Sequence, residues 1–578
     1  DDLGWMDTGC YGSTYFETPN IDRLASEGMR FTDAYAANPL CSPTRASIMT
    51  GKYPARLGIT TPACHLPPRP KDAPVLAERA RPSLKMICPE SRRFLRLEEY
   101  TIGEAFRDAG YATGFIGKWH LGLAAQYHPG AQGFEFDLGA PNPGPPSYFS
   151  PYRMAKIKDG PEGEYITDRI TDEALRYIED NRHREFMLCF WHFAVHAPFQ
   201  AKETITAEYR DRQDPRGVQK CAVMASMLQS LDESVGRMLD KLDELELTED
   251  TIIVFTSDNG GNMYDVVEGN PPTNNHPLRG GKGTIYEGGT REPCIVVWPG
   301  VVRPSSRCSE IISSVDFYPT MLEMGGIAPK KGQVLDGESI VPLLRGTGKL
   351  AREAVFCHFP HYVPATGNLP STYVRKGNWK LIRFYGEGVG RSNGCELYNL
   401  KEDLSEADNL ADKMPEKVKE LDALVDGFLA DTGAVVPAKN PAYRPSVRGW
   451  WASGDCELAV KDGMLRLSCT GGDPYIHTSE MPGLAGPLTV MLRLRSQSSG
   501  IGQVFWTTRR VRRFGSRQRL NFEPVHDGRW REYEVKLTLG GALTGLRIDP
   551  CTARGIVDLD WVRLCDEAGR VVHAWQFD

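Results

Sequence analysis

At 578 residues the chain exceeds what one hydrophobic core serves, so two or three domains are expected. Its 41% hydrophobic and 25% charged residues exclude a disordered chain, and a net charge of −7 excludes the overall basic footprint of a nucleic-acid-binding protein. The longest dense apolar run, Phe186 to Val195, is about half the ~20 residues a bilayer requires, so it is read as a buried strand and no membrane span is predicted.

Residues 1–348 alternate helical patterns with short apolar strands: IDRLASEG, TIGEAFRDAG before YATGFIG, ITDEALRYIED before FMLCFWHF, and a long amphipathic stretch before TIIVFTSD. This pattern predicts an α/β fold with a mixed, mostly parallel sheet flanked by helices, in which ligands bind at the carboxyl ends of strands. His120, His196 and Asp258 each fall just after such a strand. Residues 349–433 change to strand-like pieces followed by one amphipathic helix, a small α+β subdomain. The Pro- and Ala-rich stretch 434–446 reads as a linker. From 447 to 578 the pattern is short alternating runs punctuated by Gly, Asp and Pro, which predicts an appended antiparallel β-sandwich. Its aromatics Trp450, Trp451, Trp506 and Trp530 are candidates either for glycan contact or for packing. Fourteen cysteines without C-x-x-C pairs or regular spacing read as mostly buried thiols, and the lack of an N-x-S/T sequon points towards a bacterial protein.

The chemistry concentrates in a few segments. In Pro39-Leu-Cys41-Ser-Pro43-Thr-Arg45-Ala-Ser-Ile-Met-Thr-Gly51 the Cys and Arg stand one helical turn apart, with Pro43 near the helix start, so Cys41 is predicted at a helix N-terminus that favours anions. A bare C-x-P-x-R also fits a buried cysteine beside a surface arginine. The thirteen-residue segment as a whole resembles the first signature of the type I, formylglycine-dependent sulfatases of the alkaline phosphatase superfamily. Gly110-Tyr-Ala-Thr-Gly-Phe-Ile-Gly-Lys118-Trp-His120 resembles the second. The resemblance extends from Asp1 to about Gly433 and is nearest to arylsulfatase and N-acetylgalactosamine-sulfatase-like bacterial glycan sulfatases; the last ~130 residues lie outside it on domain-size reasoning.

The resemblance implies that Cys41 is oxidised to formylglycine by a maturation enzyme. Hydrated, that aldehyde offers one hydroxyl to attack sulfur and a second whose deprotonation expels sulfate. It further implies that Asp1, Asp2, Asp258 and Asn259, with the modified Cys41, hold a divalent cation. Carboxylate and amide oxygens suit Ca2+, with Mg2+ possible, over zinc. Arg45 is implied to steady the hydrated aldehyde, Lys118 to bind sulfate oxygens and His120 to take the proton during elimination. His196 and Lys282 are implied to contact the ester and protonate the departing alcohol. Lys118 and His120 are two residues apart, so an extended stretch would point both to one side. Family members carry an apolar strand before the acidic pair and this sequence opens at that pair, which suggests an upstream segment and leaves a free amino group beside the cation site.

A sulfated carbohydrate, galactose or N-acetylgalactosamine sulfate, is the expected substrate. The segment His358-Phe-Pro-His361-Tyr362 looks like those of bacterial glycan sulfatases, and the loop carrying Asn275, His276 and Arg279 precedes Lys282 with donors and acceptors for sugar hydroxyls. A periplasmic or secreted location is implied by the same resemblance. Two alternatives stay open: a phosphonate monoester or phosphodiester hydrolase of the same superfamily, and a carbohydrate-binding protein with an inactive sulfatase-like domain.

Overall fold

The computed structural model describes residues 1–577 apart from 69–74, 387–393, 480, 509–510 and 512. It divides into two compact units, residues 1–78 with 86–439, and residues 79–85 with 440–578.

In the first unit the alternation read from the sequence becomes α1 (Pro19–Glu27), β1 (Met29–Tyr35), α2 (Cys41–Thr50), α3 (Ile102–Asp108), β2 (Ala112–Lys118), β3 (Phe136–Ala140), α4 (Ile166–Asn181), β4 (Phe186–Trp191), α5 (Ala222–Glu244), β5 (Ile253–Thr256) and β6 (Arg291–Val297). Strand β2 pairs in parallel with both β3 and β4. Strand β1 runs parallel to Ser306–Cys308 and Ile312–Ser313, whereas β6 is antiparallel to both β1 and β5. The expected mixed, mostly parallel α/β arrangement is therefore present. Helix starts follow local chemistry: Thr101 caps α3 through a capping box with Glu104, and Pro19 opens α1, where its missing N–H costs nothing. Both faces of the sheets are covered, one by a cluster with Phe31, Ile102, Phe115 and Trp119, the other by one with Ile116, Ile170, Ala174 and Leu228. This explains why β2 is buried at every position and reads as a continuous run without alternation.

The same unit holds a four-stranded antiparallel meander, β7 (Ala354–Phe359), β8 (Ser371–Lys376), β9 (Trp379–Phe384) and β10 (Cys395–Asn399), followed by α6 (Pro415–Thr432). Period-two alternation gives it two apolar faces. Val374, Leu381 and Leu397 pack with Val418, Leu421 and Val425 of α6, while Tyr373, Ile382 and Tyr398 pack with Tyr35 and Leu40. Residues 434–446, expected as a linker, are tied down. Ala438–Lys439 pairs antiparallel with Met86–Ile87, and the Asn440 amide donates to the carbonyls of Arg81 and Leu84 at 2.9 and 2.8 Å.

The second unit is two antiparallel sheets enclosing a core of Leu465, Leu467, Val490, Leu492, Ile548 and Val562. Trp450 and Trp506 belong to that core, at 0% and 6% exposure, so they pack and are closed to any glycan; Trp451 and Trp530 remain partly exposed. All fourteen cysteines are free thiols, and all but Cys10, Cys88 and Cys308 are buried. Among the described residues no helix is long and apolar enough to cross a membrane.

Candidate active site

Strand ends and two helix-flanking turns bring the site together. Cys41 is the first residue of α2, a helix buried at all ten positions, which accounts for its lack of an amphipathic pattern. Lys118 is the last residue of β2, Asp258 and Asn259 follow β5 by two and three residues, and His196 follows β4. The Asp1 carbonyl accepts a hydrogen bond from Val195 N at 2.8 Å, and the amides of Asp2 and Leu3 donate to Asp258 Oδ1 and Ser257 Oγ at 3.3 and 3.1 Å. Asp1 and Asp2 are thereby fixed between the β4 and β5 turns.

Three buried cations interleave with three carboxylates. Arg45 Nε and one terminal nitrogen each lie 2.8 Å from Asp258 Oδ2; that nitrogen also lies 3.2 Å from Asp1 Oδ2, and the other terminal nitrogen donates to the Lys118 carbonyl at 2.6 Å. The guanidinium sits over the Trp191 ring, 5.1 Å from its centroid. Lys118 Nζ pairs with Asp1 Oδ2, and Lys282 Nζ donates to Asp2 Oδ2 at 2.7 Å. Cys41 Sγ is 3.6 Å from Asp1 Oδ1, and ligand atoms of Asp1, Asp2, Cys41 and His196 all lie within 4.8 Å of one another.

This packing sets the protonation states. Burial alone would raise the Cys41 thiol, but Lys118 and Lys282 outweigh it and bring the thiol down to about 7. Burial also opposes the ionised Asp258, yet Arg45 and Lys118 hold it far below the usual carboxylate range. Lys118 is lowered to about 8, first by burial, with Arg45 adding repulsion. Burial, then Lys118 and His65, pushes His120 well below 6.5, so it is a neutral imidazole. Its Nε2 lies 3.1 Å from His65 Nδ1, while its buried Nδ1 has no hydrogen-bond partner among the described residues. His196 is likewise lowered by burial and Lys282; its Nδ1 lies 2.6 Å from the Ala197 carbonyl, which makes Nδ1 the donor and leaves Nε2 directed towards Asp2 Oδ2 at 3.8 Å.

The residues fit a hard divalent cation. Asn259 Nδ2 donates to Asp2 Oδ1 at 2.8 Å, and its Oδ1 is buried without a hydrogen-bond partner among the described residues, an oxygen left available beside the carboxylates. Two site residues, Asp2 and His120, adopt positive φ of 63° and 53°. Left-handed backbone at a non-glycine residue costs about 1–3 kcal/mol, and persists where surrounding contacts over-determine it. At His120 it also changes how the side chain arrives: the strand stops at Lys118, so a turn delivers His120 where the spacing predicts an extended stretch.

The substrate-binding candidates fare differently. His358 is 2% exposed, with Nδ1 2.7 Å from Thr372 Oγ1 and Nε2 3.2 Å from the Val435 carbonyl, so neither nitrogen is left for a sugar hydroxyl. His361 is buried with Nε2 2.7 Å from Thr60 Oγ1. Asn275 is buried and braces its own loop by donating to the carbonyls of Gly261 and Gly280, both at 3.2 Å. Arg279 lies over the Tyr286 ring, 3.7 Å from its centroid, and donates to the Glu406 carbonyl at 2.8 Å; His276 is exposed. These five residues do not join the cluster of buried charges around Cys41. Two residues that sequence reasoning missed lie close to it: His65, in a loop without periodic signal, and Glu292 of β6. The Glu292 carboxyl is fully buried and unpartnered among the described residues, and burial with the nearby Asp258 raises it well above the usual range.

The "Sulfatase" family model matches residues 1–327, more than half of the chain, and an "N-sulphoglucosamine sulphohydrolase, C-terminal" model matches 281–427. The chain belongs to the sulfatase family. It is 33% identical over 382 residues to the N-acetylgalactosamine-6-sulfatase of Canis lupus familiaris, covering 62% of this chain and 66% of that one, so it spans just under two thirds of that relative's length. It is 32% identical over 421 residues to human arylsulfatase A, covering 68% of this chain and 75% of that one. The crystal structure of Ps i-CgsB in complex with k-i-k-neocarrahexaose superposes with a TM-score of 0.61 at 26% identity, covering 77% and 92% of the two chains. A phosphonate monoester hydrolase of Agrobacterium radiobacter, at 18% identity and a TM-score of 0.54, shares the sulfatase fold.

Proposed function

We propose that this sulfatase-family chain hydrolyses sulfate esters on a sulfated carbohydrate, a galactose or N-acetylgalactosamine sulfate, with Cys41 matured to formylglycine and Ca2+ held by Asp1, Asp2, Asp258 and Asn259. The observation that carries the reading is the buried set around Cys41, in which Arg45, Lys118 and Lys282 interleave with three carboxylates and His196 stands beside the sulfur. When present, the hydrated aldehyde supplies the nucleophilic hydroxyl and the cation draws charge from the sulfate oxygens. Lys118 and Lys282, preorganised and shielded from water, offer fixed positive charge to the anionic sulfate group of the ester. The unpartnered Nδ1 of neutral His120 is suited to accept a proton, and His196 Nε2, oriented by the Nδ1 hydrogen bond, to face the ester oxygen. The carbohydrate class is supported by the N-acetylgalactosamine-6-sulfatase relatives and by the neocarrahexaose complex of Ps i-CgsB. A polysaccharide does not cross a membrane unaided, so a secreted or periplasmic site of action accompanies this substrate.

Chain co-expressed with a formylglycine-generating enzyme should be assayed on an aryl sulfate, an aryl phosphodiester, and 4- and 6-sulfated galactose and N-acetylgalactosamine. Sulfate release from a sugar at the highest kcat/KM is expected. Faster cleavage of the phosphodiester would establish the phosphonate and phosphodiester reading, and no turnover by formylglycine-bearing protein would favour the inactive, carbohydrate-binding one.

A further inference from the structure

The second unit carries a feature that the reaction does not use. Across its five-stranded sheet, strand register places Trp451, His477, Arg547, Phe505 and Arg519 directly opposite one another in a single row. Adjacent residues Ile476, Ile548, Leu546 and Val504 enter the core, so by the two-residue period of a strand the row lies on the outer face. The Arg547 guanidinium is 3.5 Å from the Tyr475 ring centroid and 4.7 Å from that of Phe505. In the sequence, residues 509–519, which end at Arg519 of the edge strand Arg519–Phe522, contain six arginines and no acidic residue. Three of them, Arg513, Arg517 and Arg519, are among the described residues, and all three are exposed.

None of these three forms an ion pair among the described residues, as is also true of Arg529, Arg554 and Arg563, whereas other arginines of the unit do, Arg547 of the row with Asp473 and Asp549 included. Arg466 and Arg495 pair with Asp558, Arg493 with Asp560, Arg531 with Asp527 and Arg570 with Asp566. Residues 440–578 hold 19 Lys and Arg against 15 Asp and Glu, a net +4, so the rest of a chain with net charge −7 carries −11. Exposed arginines without acidic partners attract a polyanion. Guanidinium forks match the oxygens of sulfate, the partly exposed Trp451 ring offers a face for sugar C–H groups, and the amides of Gln503 and Asn521, on paired strands, offer partners for hydroxyls.

We infer that this face is a docking surface for a sulfated polysaccharide chain, with Arg513, Arg517 and Arg519 binding sulfate groups and Trp451 supporting a sugar ring. The identity of the polymer rests on the sulfated-glycan reading above; the existence of the surface does not need catalysis. Its effect would be to hold polymer near the enzyme and raise its effective concentration.

The test uses the full-length chain carrying Cys41→Ala, so that bound polymer is not consumed, titrated with carrageenan, the same galactan desulfated, duplex DNA and phosphatidylglycerol vesicles. Carrageenan should bind and its desulfated form should not. The triple substitution R513Q/R517Q/R519Q should weaken carrageenan binding about tenfold or more and reduce the log–log salt slope by roughly 2–3. The same triple substitution in the Cys41-containing enzyme should leave aryl sulfate turnover unchanged. Trp451→Ala should weaken carrageenan but not DNA. Unchanged carrageenan affinity in the triple variant overturns the inference, as does DNA or vesicle binding as tight as carrageenan with the same loss on substitution. Should the Gln variant unfold, R513K/R517K/R519K keeps the charge and tests the guanidinium fork alone: a loss of affinity upholds the surface, and wild-type affinity removes the fork's role and overturns it. A chain that binds carrageenan yet releases sulfate from no substrate would sink the catalytic reading and leave this one standing.

Discussion

Arg45 is the residue on which the charge arrangement depends most, and its replacement gives a worked expectation. It is 3% exposed and makes three close contacts of 2.6–2.8 Å to Asp258 and the Lys118 carbonyl, plus a 3.2 Å pairing with Asp1. Arg45→Ala leaves Asp258 and Asp1 buried with a cation removed, a change that costs about 3–5 kcal/mol. Arg45→Lys keeps the charge but not the planar fork, so at least one charge-assisted hydrogen bond is lost, about 1.5–3 kcal/mol. If that loss falls on the transition state, kcat/KM drops roughly 10- to 150-fold, since about 1.4 kcal/mol is a factor of ten. The measurements are the first denaturant midpoint and kcat/KM on an aryl sulfate, both in excess calcium. The expected order is wild type above Lys above Ala in both. An Arg45→Lys enzyme within twofold of wild type in activity and indistinguishable in midpoint would refute the role given to the fork.

Four further outcomes are expected. The tryptic peptide containing Cys41, from protein made with a maturation enzyme, should show the mass of formylglycine; an unmodified thiol in an active preparation would defeat the assignment. Chelation should abolish turnover, and calcium or magnesium should restore it; full activity in excess chelator would exclude the cation. Burial holds His358 at about 4 and His361 at about 3 against an ordinary 6.5, so the unfolded chain binds protons that the folded chain refuses. Stability contributed by these two is therefore complete above about 6.5 and lost as pH falls below it, by up to ~1.4 kcal/mol per unit for each, and His358→Gln should flatten that slope in denaturant titrations. His361→Ala should lower stability while reducing activity on sugar and aryl sulfates by similar factors; selective loss on the sugar would return His361 to the substrate site.

How much of this was legible follows from how each feature is encoded. The apolar run of β4 and the long periodic stretch of α5 announced themselves because period and length are local properties. The attachment of residues 79–85 to the second unit did not, because Asn440 meets Arg81 and Leu84 from more than 350 positions away and neither partner carries a mark of it. Within the site, Cys41, Lys118 and Lys282 were found through long motifs, whereas His65 and Glu292 belong to none. The left-handed turns at Asp2 and His120 were also silent, since neither residue is the glycine or asparagine that signals such a backbone. The histidines of the meander misled for the opposite reason. Two histidines near an aromatic resemble a sugar contact, and only the hydrogen bonds of His358 to Thr372 and Val435 reveal a structural use.

Net charge is the one sequence quantity whose sign points away from the docking surface inferred above. A value of −7 excludes a basic protein, but it averages two units of opposite character, +7 over residues 79–85 with 440–578 and −14 over the remainder. Screening confines electrostatic attraction to about 8–10 Å at ordinary salt, so a ligand arriving at Arg513 and Arg519 is governed by the charges within that radius and hardly by the total. The appropriate measure is the local run. Six arginines within residues 509–519 and no acid among them are visible in the sequence alone, and the structure adds that the three described arginines have no acidic partner to neutralise them. An acidic catalytic unit would by itself repel a polysulfated chain at long range. A basic edge on the same polypeptide supplies attraction for such a chain, which is why the loss expected from the triple arginine substitution should be largest at low ionic strength and fade as salt rises.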